Sequence, residues 1–411
     1  MGGRDSSMDK QNIDFVSNPP QHHFKNRNAG LDLVRFTALL LMVFDHFPNS
    51  YTSPFISAMY FIAGSAPALF YFAFGMTFSA FAQKNTIIKL RITFAFFIVA
   101  IFLNLAFSGK FIYNEFFFFL WLSQCAMMAI IALIKNPIWF ILPFIFGTLS
   151  CMIILPHGYL SQLFTSLVGG NFPFLPWFIF VLAGYLFSQR PLPSMVTALV
   201  LAAIALSLHF SGLRNAAIQK YPLSVTYIML FAGITILIYG LGNRMRGLSQ
   251  NRTVIYISQN LLLATILHYM TYDIILIINY PIKHLTGYNV FANYPNLVMI
   301  ALPIVCIVIL VALLKMVITV WTIMKKKNFI TAKLIRNSIA AAITIVLLYY
   351  IMSFSSDPRM LTATRSILIL GMAYFGFVIR EAKTMEYMDT DIIYLILKRT
   401  IKSRIRLTMK R

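Results

Sequence analysis

LDLVRFTALLLMVFDHF, Leu31 to Phe47, is the first long apolar run of this chain, and it carries Asp32, Arg35, Asp45 and His46. An ionisable residue facing hydrocarbon is costly, so a helix with four of them is expected to turn that face inward or toward an aqueous cavity. Arg35 and His46 are eleven residues apart, about three helical turns, which places both on one face with roughly 16 Å between them along the axis. The alternative is interfacial: Asp32 and Arg35 mark the inner end of the span, and Asp45 and His46 sit in the opposite interface.

The chain around this run is of the same kind. Of 411 residues, 59% are hydrophobic and 11% charged, with a mean hydropathy of +0.77, values that fit a multi-span membrane protein and not a soluble one with a large core. Segments long enough to cross a bilayer occur at about 31–47, 56–83, 92–108, 114–134, 137–154, 173–188, 192–210, 223–241, 253–279, 297–323, 336–354 and 361–379. The expected fold is all-α: a polytopic transmembrane helix bundle of ten to twelve spans, best counted as twelve, with both termini cytoplasmic.

Charge supports that orientation. With the amino terminus inside, 26 of the 34 Lys and Arg residues fall on the cytoplasmic side, six fall outside, and Arg35 and Lys315 lie within spans. That asymmetry follows the positive-inside rule. The net charge of +22 is thereby explained without a nucleic-acid partner. Residues 1–28 read as a disordered cytoplasmic tail without a cleavable signal, 29–380 as the transmembrane domain, and 381–411 as a basic amphipathic tail on the anionic inner leaflet. Cys125, Cys151 and Cys306 lie in apolar runs without paired spacing, so free, buried thiols are expected.

Two of the seven histidines, His46 and His268, lie in spans; His22, His23, His157, His209 and His284 are left uncommitted. Neither His46 nor His268 has a His or Cys at ligand spacing, so no metal is expected. Asp45 precedes His46 directly and points about 100° away on a helix, so it is not taken to orient the ring; it caps the span or touches a neighbouring helix. Gly75 in FAFGMTF, 72–78, reads as a close-packing position. Lys89 and Arg91 stand at the cytoplasmic mouth of the third span. Pro173, Pro176 and Trp177 read as an outer aromatic belt.

Together these stretches resemble the acyltransferase-3 superfamily of membrane acyltransferases, which opens with an Asp, an Arg three residues on and a His eleven after that: here Asp32, Arg35 and His46. MVFDHFP, 42–48, is similar to the glucan succinyltransferase and pilin-acetylase branches. FYFAFGMTF (70–78), FPFLPWFIFVLAGYLF (172–187) and SQNLLLATILHY (258–269) resemble later spans in order, the last with Asn260 eight residues before His268. The matches run over residues 30–270. Ser258, Leu261 and Thr265 depart from the family's usual Gly, Ser and Tyr, and Lys89 and Arg91 replace an Arg-x-x-Arg.

The resemblance implies transfer of an acyl group from cytoplasmic acyl-CoA, with acetyl-CoA the expected donor, to a hydroxyl or amine of a surface glycan or glycolipid at the outer face of a bacterial inner membrane. It implies that His46 is a general base or acyl carrier, with Asp45 beside it and His268 as a second base or positioning group. Arg35 would hold a phosphate or steady the oxyanion, and Lys89, Arg91 and Trp177 would contact the donor. The rival readings are a transporter or flippase, and a membrane scaffold without turnover.

Overall fold

The computed structural model describes residues 27–46, 54–108, 115–134, 136–156, 158–168, 171–190, 192–211, 218–245, 247, 251–286 and 295–326. These form thirteen helices and no strand: α1 (Ala29–Asp45), α2 (Pro54–Ala63), α3 (Ala66–Ala82), α4 (Thr86–Ser108), α5 (Phe116–Leu133), α6 (Pro137–Ile154), α7 (Tyr159–Val168), α8 (Phe174–Gln189), α9 (Ser194–Phe210), α10 (Val225–Arg244), α11 (Arg252–Gln259), α12 (Leu261–Thr286) and α13 (Pro295–Lys326). The all-α expectation holds. Both basic tails and the segments at 336–354 and 361–379 lie outside the described residues.

Helix α1 sits at the centre, packed on α10, α3 and α11 and touching α2, α12 and α13. Its start is fixed by polar groups. The Asn28 side chain accepts from the Leu31 N–H at 3.0 Å, and Asn243 of α10 accepts from the Gly30 N–H at 2.9 Å. Two donors that a helix start leaves unpaired are thus satisfied inside the protein. The buried residues Val34, Ala38 and Met42, with Leu39 and Val43, recur at helical spacing and fasten α1 into the bundle.

The closest approach in the bundle is made by two glycines. A Cβ on Gly75 of α3 would lie 2.0 Å from the Val181 carbonyl oxygen, and one on Gly184 of α8 would lie 2.1 Å from that of Phe72. Neither position admits a side chain without the helices parting, the packing role expected of Gly75.

Five helical stretches are long and apolar enough to cross a membrane: Pro54–Ala82, Phe116–Leu133, Pro137–Ile154, Val225–Arg244 and Ile300–Val320; counting a bent pair as one span makes six. The helices Phe174–Gln189 and Ser194–Phe210 are apolar but shorter. The protein is therefore an integral membrane helix bundle, with five or six such spans among its described residues against the twelve segments read from hydropathy. Part of the difference is α1 itself, which is 17 residues long and interrupted by charge. Helices α6 and α13 turn large apolar side chains outward, Trp139, Phe146, Ile154 and Val308 among them, as lipid-facing helices do.

Two expectations are corrected. The segment 253–279 is not one straight span: α11 and α12 meet at Asn260 with a bend of 91°. Hydropathy does not detect that bend, because the residues around it remain predominantly apolar. The segment 56–83 stands as one span, Pro54–Ala82, with a turn at Gly64–Ser65 where the buried Tyr227 hydroxyl donates to the Gly64 carbonyl at 2.5 Å and satisfies an acceptor. Finally, the cysteines are free but only Cys306 is buried; Cys125 is half-buried and Cys151 exposed. An apolar helix that faces lipid exposes its cysteines there.

Candidate functional site

At the inner end of α1, as oriented by the charge pattern, Asp32 is buried and fully engaged. Arg27 grips it through two bonds of 2.9 and 2.8 Å, and the Ser258 hydroxyl donates to it at 2.5 Å. Ser258 stands two residues before the α11–α12 break, so this carboxylate ties the start of α1 to the bend. One helical turn on, Arg35 has no hydrogen bond or ion pair among the described residues. It lines a cavity of about 350 Å³ together with Phe70, Phe74, Phe96, Phe116 and Asn260. Asn260 is buried, its Nδ2 donates to the Tyr256 carbonyl at 2.7 Å, and its Oδ1 has no partner among the described residues. The first residues of α12, Leu261 to Leu263, form part of the same wall, so the N–H-rich start of a 26-residue helix borders the cavity beside a guanidinium. That combination favours an anion or a strongly polarised carbonyl oxygen.

At the far end of α1, His46 and His268 come together. They are 222 positions apart in sequence, and their ring centroids are 5.0 Å apart. Tyr269 completes the group, its ring 5.4 Å from His46 and 4.0 Å from His268. His268 is buried, whereas His46, the residue that ends α1, is exposed. The Nδ1 of His268 lies against the Thr265 carbonyl. A carbonyl only accepts, so Nδ1 carries the hydrogen and Nε2 is left with a lone pair. That Nε2 is buried without a hydrogen-bond partner among the described residues. Because Thr265 also lines the cavity, α12 carries both the cavity wall and, one turn later, this base.

Asp45 does not orient either imidazole. It accepts from Lys220 Nζ at 2.6 Å in a partly exposed pair, the contact with a neighbouring segment that its direction on α1 allowed. Lys220 belongs to the segment before α10, so the end of α1 and that segment lie on the same side of the bundle.

Other expected residues stand apart. Lys89 donates to the Ala82 carbonyl at 3.1 Å, closing the last turn of α3 as basic side chains at helix ends do. The side chain of Arg91 lies outside the described residues. Trp177 is not in an interfacial belt: it is fully buried among Tyr71, Phe172, Phe180, Tyr221 and Tyr227, apart from the residues that line the Arg35 cavity. Sequence reasoning does not single out Lys220, Tyr269 or the Thr265 carbonyl. Tyr269 is adjacent to a flagged histidine, but nothing local marks Lys220 as the partner of Asp45.

Compared with protein-family models and with curated proteins, the chain matches none.

One further acid lies at the His46 end. Glu115, the residue before α5, accepts from Asn171 Nδ2 at 2.7 Å. Burial pushes its carboxyl up to about 7, and the bond from Asn171 opposes that shift. Among the described residues no three His, Cys, Asp or Glu side chains converge as a metal site would need. Taken together, a cavity with a guanidinium in its wall and an oriented imidazole one turn beyond that wall share α12. This arrangement can hold a polar group at one end and move a proton at the other.

Proposed function

We propose that the protein is an integral membrane acyltransferase of the acyltransferase-3 type, moving an acyl group from acyl-CoA to a hydroxyl or amine of a glycan acceptor on the opposite side. The observation that carries this reading is the meeting of His46 and His268 at one end of a cavity-lining helix pair, with Arg35, unpaired among the described residues, at the cavity. Donor entry is assigned to the inner end, where Arg35 and the start of α12 attract a phosphate or the thioester oxygen. His268, with Nδ1 fixed by Thr265, presents Nε2 as the base; His46, exposed beside it, takes the acceptor proton or carries the acyl group. A positioned general base contributes on the order of 10²–10⁴-fold. Lys89 and Arg91 serve the inner mouth through their charge.

The test is acyl transfer from acetyl-CoA per folded molecule in detergent, for wild type and His46→Ala. Near-complete loss with an unchanged melting temperature is expected. Full activity in His46→Ala would sink the assignment.

A carrier is the second reading, and the 91° break at Asn260 favours it, because broken helices bordering a cavity recur in transporters. A carrier would move substrate into vesicles and leave acyl-CoA intact.

A further inference from the structure

The cavity beside Arg35 has a direction. Asp32, one turn before Arg35, is bonded to Ser258, and Ser258 and Asn260 line the cavity with Arg35, so its polar end is at the start of α12. Its other end is nearer the histidines. Helix α3 begins just after Gly64, where an added Cβ would lie 3.9 Å from the Lys220 side chain, and Lys220 pairs with Asp45. Phe70 is therefore nearer His46, and Thr77 nearer Arg35. Phe70, Ala73, Phe74 and Thr77 all line the cavity, which gives it a length of about 10 Å along α3. Two aromatic pairs stand edge to face in its wall, Phe70 with Phe116 at 5.1 Å and Phe74 with Phe96 at 6.2 Å. Its volume of about 350 Å³ is at the lower end of small-ligand pockets. Drawn out over that length, it suits a slender chain with a charged end.

Two lengths then agree. Arg35 and His46 are about 16 Å apart along α1, so a donor gripped at Arg35 reaches the histidines only if its anion and its acyl carbonyl are that far apart. An extended chain advances about 1.2 Å per bond, so the roughly thirteen bonds from the 4′-phosphate of coenzyme A to its sulfur span about 16 Å. A thioester oxygen held on Arg35 would instead leave the carbonyl about three turns short of His46. We infer that this cavity is the seat of the donor's 4′-phosphopantetheine arm, with the phosphate on Arg35 and the thioester delivered to His46 and His268. This rests on the acyl-transfer reading and names what the site recognises of the donor: the phosphorylated arm, with the nucleotide left outside. The arm alternates hydrocarbon with amides. The phenylalanine rings meet the hydrocarbon, and Asn260, whose Oδ1 has no partner among the described residues, accepts from an amide N–H. A guanidinium in a cavity wall without a carboxylate of its own calls for an anion, and its planar fork matches a phosphate.

The experiment titrates the full-length protein in detergent with acetyl-CoA, S-acetyl-4′-phosphopantetheine and S-acetylpantetheine. The first two are expected to bind within about 10-fold of each other, and loss of the phosphate should weaken binding at least about 10-fold, the range of a hydrogen bond to a charged group. Arg35→Gln should erase the difference between the phosphorylated and unphosphorylated arm and leave S-acetylpantetheine affinity in place. Ala73→Leu, which fills the cavity, should weaken all three alike by about 10-fold. The proposal is overturned if S-acetylpantetheine binds as tightly as its phosphate ester, if the phosphate preference survives in Arg35→Gln, or if acetyl-CoA binds more than about 10-fold tighter than S-acetyl-4′-phosphopantetheine. Should Arg35→Gln fail to fold, Ala73→Leu decides, and unchanged affinity for all three ligands in that variant counts against the site. Binding of the arm as expected, without acyl transfer from acetyl-CoA by the same wild-type preparation, would instead remove the acyl-transfer reading and leave the arm site standing.

Discussion

Asp45 and His46 are neighbours in the chain, yet one is held by Lys220 and the other stands against His268 and Tyr269. The residue that supplies orientation is Thr265, through its carbonyl, and this gives His268 a testable role. His268→Asn keeps a donor near the position of Nδ1, so the bond to Thr265 survives while the Nε2 lone pair is lost; acyl transfer per molecule should fall by at least about 10²-fold with little change in melting temperature. A purely structural histidine would give lower stability with activity falling in proportion. The two ion pairs also differ in kind. Asp32→Asn leaves Arg27 without its partner against a side chain only 6% exposed, and should cost about 3 kcal/mol. Lys220→Met, at a pair with side chains 20% and 26% exposed, should cost about 1 kcal/mol or less. Chemical denaturation of both variants in the same detergent makes the comparison, and equal losses would contradict it. Glu115 sets a pH dependence. Its carboxyl is raised from 4.5 to about 7 in the folded protein, so its contribution to stability is fully present below about 4.5 and is lost as pH rises through about 7. Melting temperature should therefore decline between about pH 4.5 and 7, and Glu115→Gln should flatten that part of the decline.

At the scale of elements, α3 and α8 are in contact through two glycines whose missing Cβ atoms leave room for the opposite backbone. Gly184→Ala places a methyl 2.1 Å from the Phe72 oxygen, and since that neighbour is backbone it cannot turn aside. Overpacking of this kind costs about 1–3 kcal/mol, and thermal melting of Gly184→Ala should show it; a wild-type melting point would mean that the two helices separate freely. The same contact holds α3, which contributes Phe70, Phe74 and Thr77 to the cavity wall, so acetyl-CoA binding should weaken along with stability. The α11–α12 bend is the other decisive element. It turns Asn260 into the cavity wall and brings the start of α12 to Arg35, while Asp32 fastens the bend through Ser258.

For the whole molecule, the pairings Gly30–Asn243 and Asp45–Lys220 set α1 antiparallel to α10, with the two ends of the site at opposite ends of the bundle. With 26 of 34 basic residues assigned to one side, tags at either terminus should both be shielded from a membrane-impermeant reagent in intact cells. Labelling of either tag from outside would overturn the orientation and exchange the faces given to donor and acceptor.

The sequence by itself determined the class. Long continuous apolar runs point to helices in a membrane, since a helix pairs all of its own backbone groups in hydrocarbon. It also singled out Arg35, His46 and His268, because ionisable groups are costly at that depth, and it marked Gly75 as a packing position. Tertiary structure decided what those residues do together. Hydropathy averages over a window and does not register a 91° turn at one asparagine. A buried tryptophan and an interfacial one also have the same local neighbours in the chain, so the placing of Trp177 was left to packing. The contacts of His46 with His268, Asp45 with Lys220 and Asp32 with Ser258 join residues 222, 175 and 226 positions apart. Such pairings depend on how helices pack against one another, and no periodicity along a single helix encodes them.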